Sequence, residues 1–564
     1  MIYFVNNSKI VLNQNDFVAS GGEGNLYGKG NLLYKIYSNQ QNTISSGKIR
    51  ELTKLKNKSI IIPEQLVMDD KGKETGFTMR WMKNTIALCK LFTNDFRSKN
   101  NIKNDLIIKL IEKMKQIIEF IHKNNCLIVD GNEFNYLVSS DFKEPFFIDV
   151  DSYQTPTYSA TVIMPSIQDL HSTSFNELTD WFSFAIISCQ LFIGIHPFKG
   201  RHLKYKNLEQ RMLNNVSVFN PSVTIPAQVR DFSNIPQNYY DWFIALFEKG
   251  ERILPPDTTG AINVVMKQVK QNNVLNKLSI ILIKEYEREI LYHKFNRNDE
   301  IIKIVHGIYI NDKQYDCKLT EEMILTDRKR IPILIDIVNN KLVYKSLNQM
   351  YDIKSNGGDI TCTDKMIIEN TIYVKSEDKI FELLFNDFGS DCWISLKNAW
   401  KIMSNSSIFF SHVIYQNVLG RSYLVIPSPN NFGLNSYCFY IQTSELDGFK
   451  IIDAKYNNKI CIVIGSKKGI YTRFIFRFDE NHQKYDCRII NDITYLEINF
   501  IVKDNGVVVL IIEDQTIEVF YNKIFDNQLN EVKNLNLPLP LKLCQDGNTT
   551  LFFKDNKLNK MKIK

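Results

Sequence analysis

Ile128-Val129-Asp130-Gly131-Asn132-Glu133-Phe134-Asn135, followed by Phe146-Phe147-Ile148-Asp149, decides how this chain is read. It sets an aspartate, an asparagine five residues later, and a second aspartate beyond a short hairpin. Moving a phosphoryl group needs this set of groups. One carboxylate orients the attacking hydroxyl. An amide oxygen and a second carboxylate hold the metal that neutralises a triphosphate. Asp130 is the candidate base, and Asn135 and Asp149 are the candidate metal ligands.

Upstream, Phe17-Val18-Ala19-Ser20-Gly21-Gly22-Glu23-Gly24-Asn25-Leu26-Tyr27 reads as strand, glycine turn, strand. A third strand follows at Asn31 to Tyr37. Glycines let backbone N–H groups approach a phosphate without a Cβ in the way. Taken alone, the cluster reads as a plain hairpin turn. Lys35 changes that reading. It sits among Leu33, Tyr34, Ile36 and Tyr37, and a lysine on an apolar strand needs a partner for its charge. Nucleotide phosphates and Glu51 are the candidates. Glu51 lies in a predicted helix at Gly47 to Leu55, where a solvated face is the competing reading. Gly76 to Lys83 reads as a strand leading into a connector. Leu106 to His122 carries apolar residues at helical spacing and supports the loop that follows.

With these residues in place, residues 10 to about 270 resemble the eukaryotic-like protein kinase superfamily. Gly21 and Gly24 fall on the second and third glycines of the glycine-rich loop, with Gly22 between them. Leu26 falls on the valine after it. Lys35 falls on the nucleotide-contacting lysine and Glu51 on its helix partner. Met79 resembles the gatekeeper, and Arg80 to Met82 the hinge that reads adenine through its backbone. Asp130 falls on the catalytic aspartate, Asn135 on the magnesium asparagine and Asp149 on the metal aspartate. Asp180 to Ala185 resembles the start of the buried helix whose aspartate holds the catalytic-loop backbone. Gly194-Ile195-His196-Pro197-Phe198 resembles the motif that ends that helix, and Arg252 falls near the late arginine that anchors the helical lobe. Asp149-Val150-Asp151-Ser152-Tyr153-Gln154 is similar to a signature of bacterial kinases found with von Willebrand and phosphatase partners in tellurite-resistance-type gene clusters.

The departures are specific. Ala19 replaces the first glycine. Ile128 and Val129 replace the His and Arg usual before the catalytic aspartate, which removes the receptor for an activation-loop phosphate. Asn132 replaces the lysine that steadies the transferring group. Asp151 replaces a glycine and is a candidate second carboxylate near the metal. Met164 to Asp169 stands where an Ala-Pro-Glu motif is expected.

From about residue 295 the texture is strand, polar turn, strand, as in Lys459 to Ile464 with Ile470 to Phe476, and Gly506 to Ile512 with Thr516 to Phe520. Units recur at the ~40–50 residue spacing of propeller blades, which suggests about six. A pair of β-sandwiches is the alternative. No catalytic constellation stands out there, and a recognition platform for a protein or ligand is the expected role.

At 564 residues the chain is too long for one core. The expected fold is an α+β bilobal kinase domain plus an all-β, propeller-like domain. The first is expected over residues 1–272 (small lobe about 1–83, large lobe about 84–272). A helical linker is expected over 273–294, within a charged periodic stretch from Ala261 to His293, and the β domain over 295–564. A hydrophobic fraction of 44%, a charged fraction of 23% and a net charge of +7 are ordinary for a globular protein and do not argue for nucleic acid. The ten cysteines show no paired metal-ligand spacing, and buried thiols in a reducing cytoplasm are expected. No signal peptide or membrane-spanning run is read. The resemblance implies an ATP- and Mg²⁺-dependent (or Mn²⁺-dependent) Ser/Thr kinase acting on a protein substrate. A nucleotide-binding pseudokinase scaffold and a small-molecule kinase are the alternatives.

Overall fold

A computed structural model describes residues 1–564 except 161–162, 258–277, 349, 352, 356–357, 389–390, 430–435, 513–515, 533–536 and 564. The chain is mostly β. It divides into two compact units, and the boundary falls inside the stretch 258–277. The first unit is Met1–Asn272 together with the short segments Ser466–Tyr471 and Asn491–Glu497.

The first unit opens with an antiparallel sheet of seven strands: β1 (Ile2–Val5), β2 (Ser8–Val11), β3 (Phe17–Ser20), β4 (Gly24–Lys29), β5 (Leu32–Tyr37), β6 (Gln65–Met68) and β7 (Glu74–Arg80). Their spatial order is β2-β1-β6-β7-β5-β4-β3, so β5, which carries Lys35, lies between β4 and β7. Two glycines allow that close packing. A Cβ at Gly24 would lie 2.2 Å from the Ile36 carbonyl oxygen, and one at Gly76 would lie 1.9 Å from the Lys35 carbonyl oxygen. Both are far inside van der Waals contact. Helix α1 (Ser46–Leu52) follows β5 and is capped by Ser45 Oγ, which accepts from Lys48 N.

The rest of this unit is mainly helical: α2 (Asn94–Lys99), α3 (Asn104–Lys123), α4 (Glu177–Ile193), α5 (Leu208–Leu213) and α6 (Gln237–Phe247). On α3, Ile107, Leu110, Ile111, Met114, Ile117, Ile118 and Ile121 are buried, one stripe at 3- and 4-residue spacing. Each such side chain contributes about 1.5–3 kcal/mol. Helix α4 is different, because every residue from Thr179 to Ile193 is buried. It is the axis of the core. Phe182 on α4 packs on Phe247 of α6, and Phe198 packs on the same ring. The last carbonyls of α4 have no partner within the helix. Arg230 supplies one, donating to the Phe192 oxygen at 2.8 Å and the Leu191 oxygen at 3.1 Å. A small sheet joins β8 (Thr85–Ala87), which precedes α2, to β9 (Tyr136–Ser139) and β10 (Pro145–Phe147), which lie between α3 and α4, in the order β10-β9-β8.

Of the nine sheets among the described residues, the other seven lie C-terminal to these. Six are successive hairpin-connected sheets over residues 290–315, 322–346, 364–401, 407–442, 450–491 and 500–532. The seventh joins 542–563 to Leu278–Glu285, which pairs antiparallel with the strand Lys557–Ile563. One parallel pair occurs, where Ile353–Ser355 flanks Asp391–Lys401. Successive sheets share apolar clusters. Ile301 of the first meets Leu334 of the second, Ile335 meets Val374 of the third, Tyr373 meets Val425 of the fourth, and Ile426 meets Phe474 of the fifth. The fifth is tied to the sixth by Lys455 Nζ, which donates to the Phe500 oxygen at 3.1 Å. Ile511 of the sixth meets Phe552 of the seventh, and Phe553 of the seventh meets Ile302 of the first.

Two expectations need correction. The segment 273–294 is not a helical linker where it is described: Leu278–Glu285 and Ile290–Asn296 are strands. The charged residues Glu287, Arg288 and Glu289 sit in the turn between them, while the β-branched Ile280, Ile281 and Ile283 favour strand. The helix expected from Ala261 lies outside the described residues up to 277. Among the described residues the repeated sheets number seven rather than about six. The first two are compact, because the second completes within residues 322–346.

All ten cysteines are free thiols. No helix among the described residues is long and apolar enough to cross a membrane.

Candidate active site

The loop bearing Asp130 is held from below by α4. Asp180 accepts from Val129 N through Oδ1 and from Ile128 N through Oδ2, both at 2.8 Å, and His122 Nε2 lies 2.9 Å from Oδ2. Asp180 is buried, so its charge must be met by such donors. Val129 stands at φ +63°, a left-handed backbone that costs a β-branched residue dearly. The strained residue lies directly before Asp130.

Asp130 is ringed by amide groups. Its Oδ1 accepts from Met164 N at 2.8 Å and its Oδ2 from Asn132 Nδ2 at 2.9 Å. Asn132, expected as the replacement for a lysine, thus serves the aspartate itself. Asn135 Nδ2 donates to the Asp130 carbonyl oxygen at 2.8 Å. The remaining amide atom of Asn135, its Oδ1, is the one with the chemistry of a metal ligand. Glu133, next to this ring, is buried and accepts from the Tyr471 hydroxyl, both residues belonging to the first unit.

The hairpin β9–β10 brings Asp149 to Asn135. Phe147 pairs with Tyr136, and Ile148 N donates to the Asn135 oxygen at 3.0 Å. Both candidate ligands therefore stand at the open end of one hairpin. Asp149 has φ +61° and leads into a single 3-10 turn, Val150–Ser152.

Lys35 meets this turn from β5. Its Nζ lies 2.6 Å from Asp151 Oδ2, 2.9 Å from Asp149 Oδ1 and 3.2 Å from Glu23 Oε2. The three carboxylates have oxygens within 4.8 Å of one another. Burial alone would lower the Lys35 ammonium, but Asp151 and then Asp149 outweigh it and hold it well above its ordinary range. Burial raises the Asp151 carboxyl against the pull of Lys35. Tyr37, two residues along the same strand face, donates to Asp151 Oδ2 at 2.8 Å.

The other expected binding residues are placed as follows. Leu26 is directly opposite Lys35 on β4, and Phe77 opposite it on β7, so all three share one face of the sheet. Met79 is buried at the end of β7. Met82 follows β7 in the connector, where its carbonyl oxygen accepts from Thr85 Oγ1 at 3.1 Å. Gly21 N donates to the Gly24 oxygen at 2.8 Å, closing the turn, and a Cβ at Gly22 would meet nothing within 4 Å. Gly24 is required by the Ile36 backbone behind it.

Glu51 is not the partner of Lys35. It accepts from Thr157 N at 3.3 Å, and hydrogen bonds from Thr155 and Thr157 hold its carboxyl below the ordinary range. The helix α1 turn aims Lys48, not Glu51, into the interior. Glu23 and Tyr37 were not singled out from sequence. Their signal, if any, was that Glu23 interrupts the glycine cluster and Tyr37 shares the strand face of Lys35.

Farther down, Arg252 forms a bidentate pair with buried Asp169, with Nε to Oδ2 and Nη2 to Oδ1 both at 2.6 Å. His196 Nε2 lies 2.8 Å from the Ser166 oxygen, and Phe198 N donates to His196 Nδ1 at 3.1 Å. Both ties fix the segment 164–169 that carries Met164 to Asp130.

No family model matches the chain, and no curated protein matches it.

Proposed function

We propose that the chain is an ATP- and divalent-metal-dependent protein kinase of the Ser/Thr type. The observation that carries this reading is the meeting of Lys35 with Asp149 at 2.9 Å, from positions 114 residues apart, beside the hairpin end that holds Asn135 and next to Asp130. Lys35 binds the phosphates of the nucleotide, and the apolar face of Leu26 and Met79 receives the base. Asn135 and Asp149 offer the hard oxygen donors that Mg²⁺ or Mn²⁺ requires. The metal, when bound, neutralises charge on the triphosphate. Asp130 orients the substrate hydroxyl and accepts its proton as the hydroxyl oxygen bonds to the γ-phosphorus and ADP leaves. The hold of Asp180 on Ile128 and Val129 and the Arg252–Asp169 pair also support the reading, since each ties the site to α4 or its neighbours.

The C-terminal sheets are read as a closed propeller of seven blades. Support comes from the apolar contact of the seventh sheet with the first and from the pairing of Leu278–Glu285 with Lys557–Ile563. Its role is recognition of a protein or ligand.

A second reading is favoured by one observation. Met164 N occupies Asp130 Oδ1, where a substrate hydroxyl would bind. On that reading the chain binds nucleotide without transferring phosphate. Incubation of the full chain with radiolabelled ATP and Mg²⁺ or Mn²⁺ separates the two. Label in the protein or in lysate proteins, lost in Asp130→Ala, is the kinase result. Nucleotide binding with no transfer under any of these conditions overturns it.

A further inference from the structure

We propose that Asp151, and not Glu51, is the positioning residue for Lys35, so that the turn after Asp149 rather than helix α1 sets where the ammonium stands. This rests on the kinase reading for the role of Lys35 and on the geometry alone for the pair.

Three carboxylates touch Lys35, and their exposure tells them apart. The side chains of Asp149 and Glu23 are 37% and 24% accessible, and that of Asp151 is 3%. A carboxylate open to water can give up a cation and be rehydrated. A buried one cannot do so without a large desolvation penalty. Asp149 and Glu23 are therefore the partners that release Lys35 when phosphate arrives, and Asp151 is the fixed one. Its contact is also the shortest, at 2.6 Å. Tyr37 secures it from the other side. The Tyr37 hydroxyl donates to the same Oδ2, and its ring is on the same strand as Lys35, with Lys35 Nζ 5.3 Å from its centroid. Lysine, carboxylate and phenol thus form one buried unit between β5 and the turn Val150–Ser152. Glu51 is occupied by the backbone of Thr157. Movement of α1, which would govern the lysine if Glu51 held it, has no direct route to Lys35 through a salt bridge.

The test is acylation of the folded full-length protein by an amine-reactive acetyl ester, with modification at Lys35 followed by mass spectrometry. It does not depend on nucleotide. Asp151→Asn is expected to speed Lys35 acylation about tenfold or more, the effect of freeing the amine from one buried hydrogen bond to a charged group. Asp151→Glu is expected to recover most of the protection, and Glu51→Gln to stay within about twofold of wild type. Acylation of Lys115 and Lys199, buried in the same unit, at the wild-type rate shows that the fold is kept. Should Asp151→Asn unfold, Tyr37→Phe serves instead, with an increase expected at Lys35 alone. An Asp151→Asn rate equal to wild type overturns the proposal, as does acceleration by Glu51→Gln. A parallel titration with MgATP separates the underlying reading. Asp151→Asn is expected to raise KM for ATP more than it lowers kcat, whereas wild-type protein that binds no MgATP removes the phosphate role and leaves the acylation rates to decide the pair.

Discussion

Asp180 Oδ1 accepts the backbone N–H of Val129 at 2.8 Å, and Val129 is in the left-handed region at φ +63°. A β-branched residue adopts that conformation only when its surroundings force it. The force here is a buried carboxylate on α4 that also takes the N–H of Ile128. Asp180→Ala would strand two buried backbone donors and His122. We expect a loss of about 3–5 kcal/mol in urea unfolding, the range for removing one partner of a buried charged network. Asp180→Asn keeps one acceptor and should lose less. A loss below about 1 kcal/mol for the alanine variant would mean that the loop holds Val129 by itself.

Gly22, in the turn between β3 and β4, and Gly24, the first residue of β4, should behave differently. Gly24→Ala puts a methyl 2.2 Å from the Ile36 oxygen, so the strands must part. We expect a fall in stability of about 1–3 kcal/mol, as for other overpacked sites. Gly22→Ala meets open space and should leave the melting temperature unchanged. If Gly22→Ala nevertheless weakens ATP binding, the tip of this turn approaches the phosphates. Equal melting temperatures for the two variants would contradict the packing role of Gly24.

Arg252 and Asp169 make a forked pair that a lysine cannot copy. Arg252→Lys should therefore recover little of the roughly 3–5 kcal/mol lost in Arg252→Ala. Because the pair anchors the 164–169 segment, both variants should also raise the exchange rate of the Met164 amide, measured by hydrogen–deuterium exchange. An unchanged Met164 rate would separate this anchor from the contact to Asp130.

Acid should weaken the first unit through His196. Burial drives its imidazole down to about 3 from an ordinary 6.5. The unfolded chain takes up a proton below about pH 6.5, while the folded one resists until near pH 3. The contribution is thus complete above pH 6.5 and is lost as pH falls toward 3. At about 1.4 kcal/mol per pKa unit the full loss approaches ~5 kcal/mol. His412, in the second unit, is lowered by burial to about 4 and weakens that unit in the same way. Unfolding free energy measured from pH 7 to 4 should drop, with a shallower slope in His196→Gln. An identical slope in that variant would assign the loss to other groups.

Much of the candidate site was legible because its residues are close in sequence. Asp130, Asn135 and Asp149 lie on one loop and one hairpin, and the spacing of the two sets their neighbourhood. The helix at Glu177–Ile193 was legible from the family resemblance of Asp180 to Ala185 and of the Gly194 to Phe198 motif that ends it. The partner of Lys35 was not. Glu23, Asp149 and Asp151 approach it from separate stretches, and in sequence one carboxylate looks like another. Glu51 was favoured by the family resemblance, but which face α1 turns inward depends on packing that places Lys48 there instead. The strand at Leu278–Glu285 was hidden for a related reason. Charges in the following turn imitate helical periodicity, and its pairing partner is at the far end of the repeated sheets.

That pairing carries a consequence for biogenesis. Asn556 Nδ2 donates to the Tyr286 oxygen at 2.8 Å across 270 residues of chain. On the ribosome, the Leu278–Glu285 strand emerges long before Lys557–Ile563 exists. Until then neither edge of its run Ile280-Ile281-Leu282-Ile283 is paired, whereas the finished sheet covers one of them, and an unpaired edge is a template for aggregation. A nascent chain halted before residue 557 would be marked by that naked edge, a ready handle for chaperones and proteases to tell unfinished chains from finished ones.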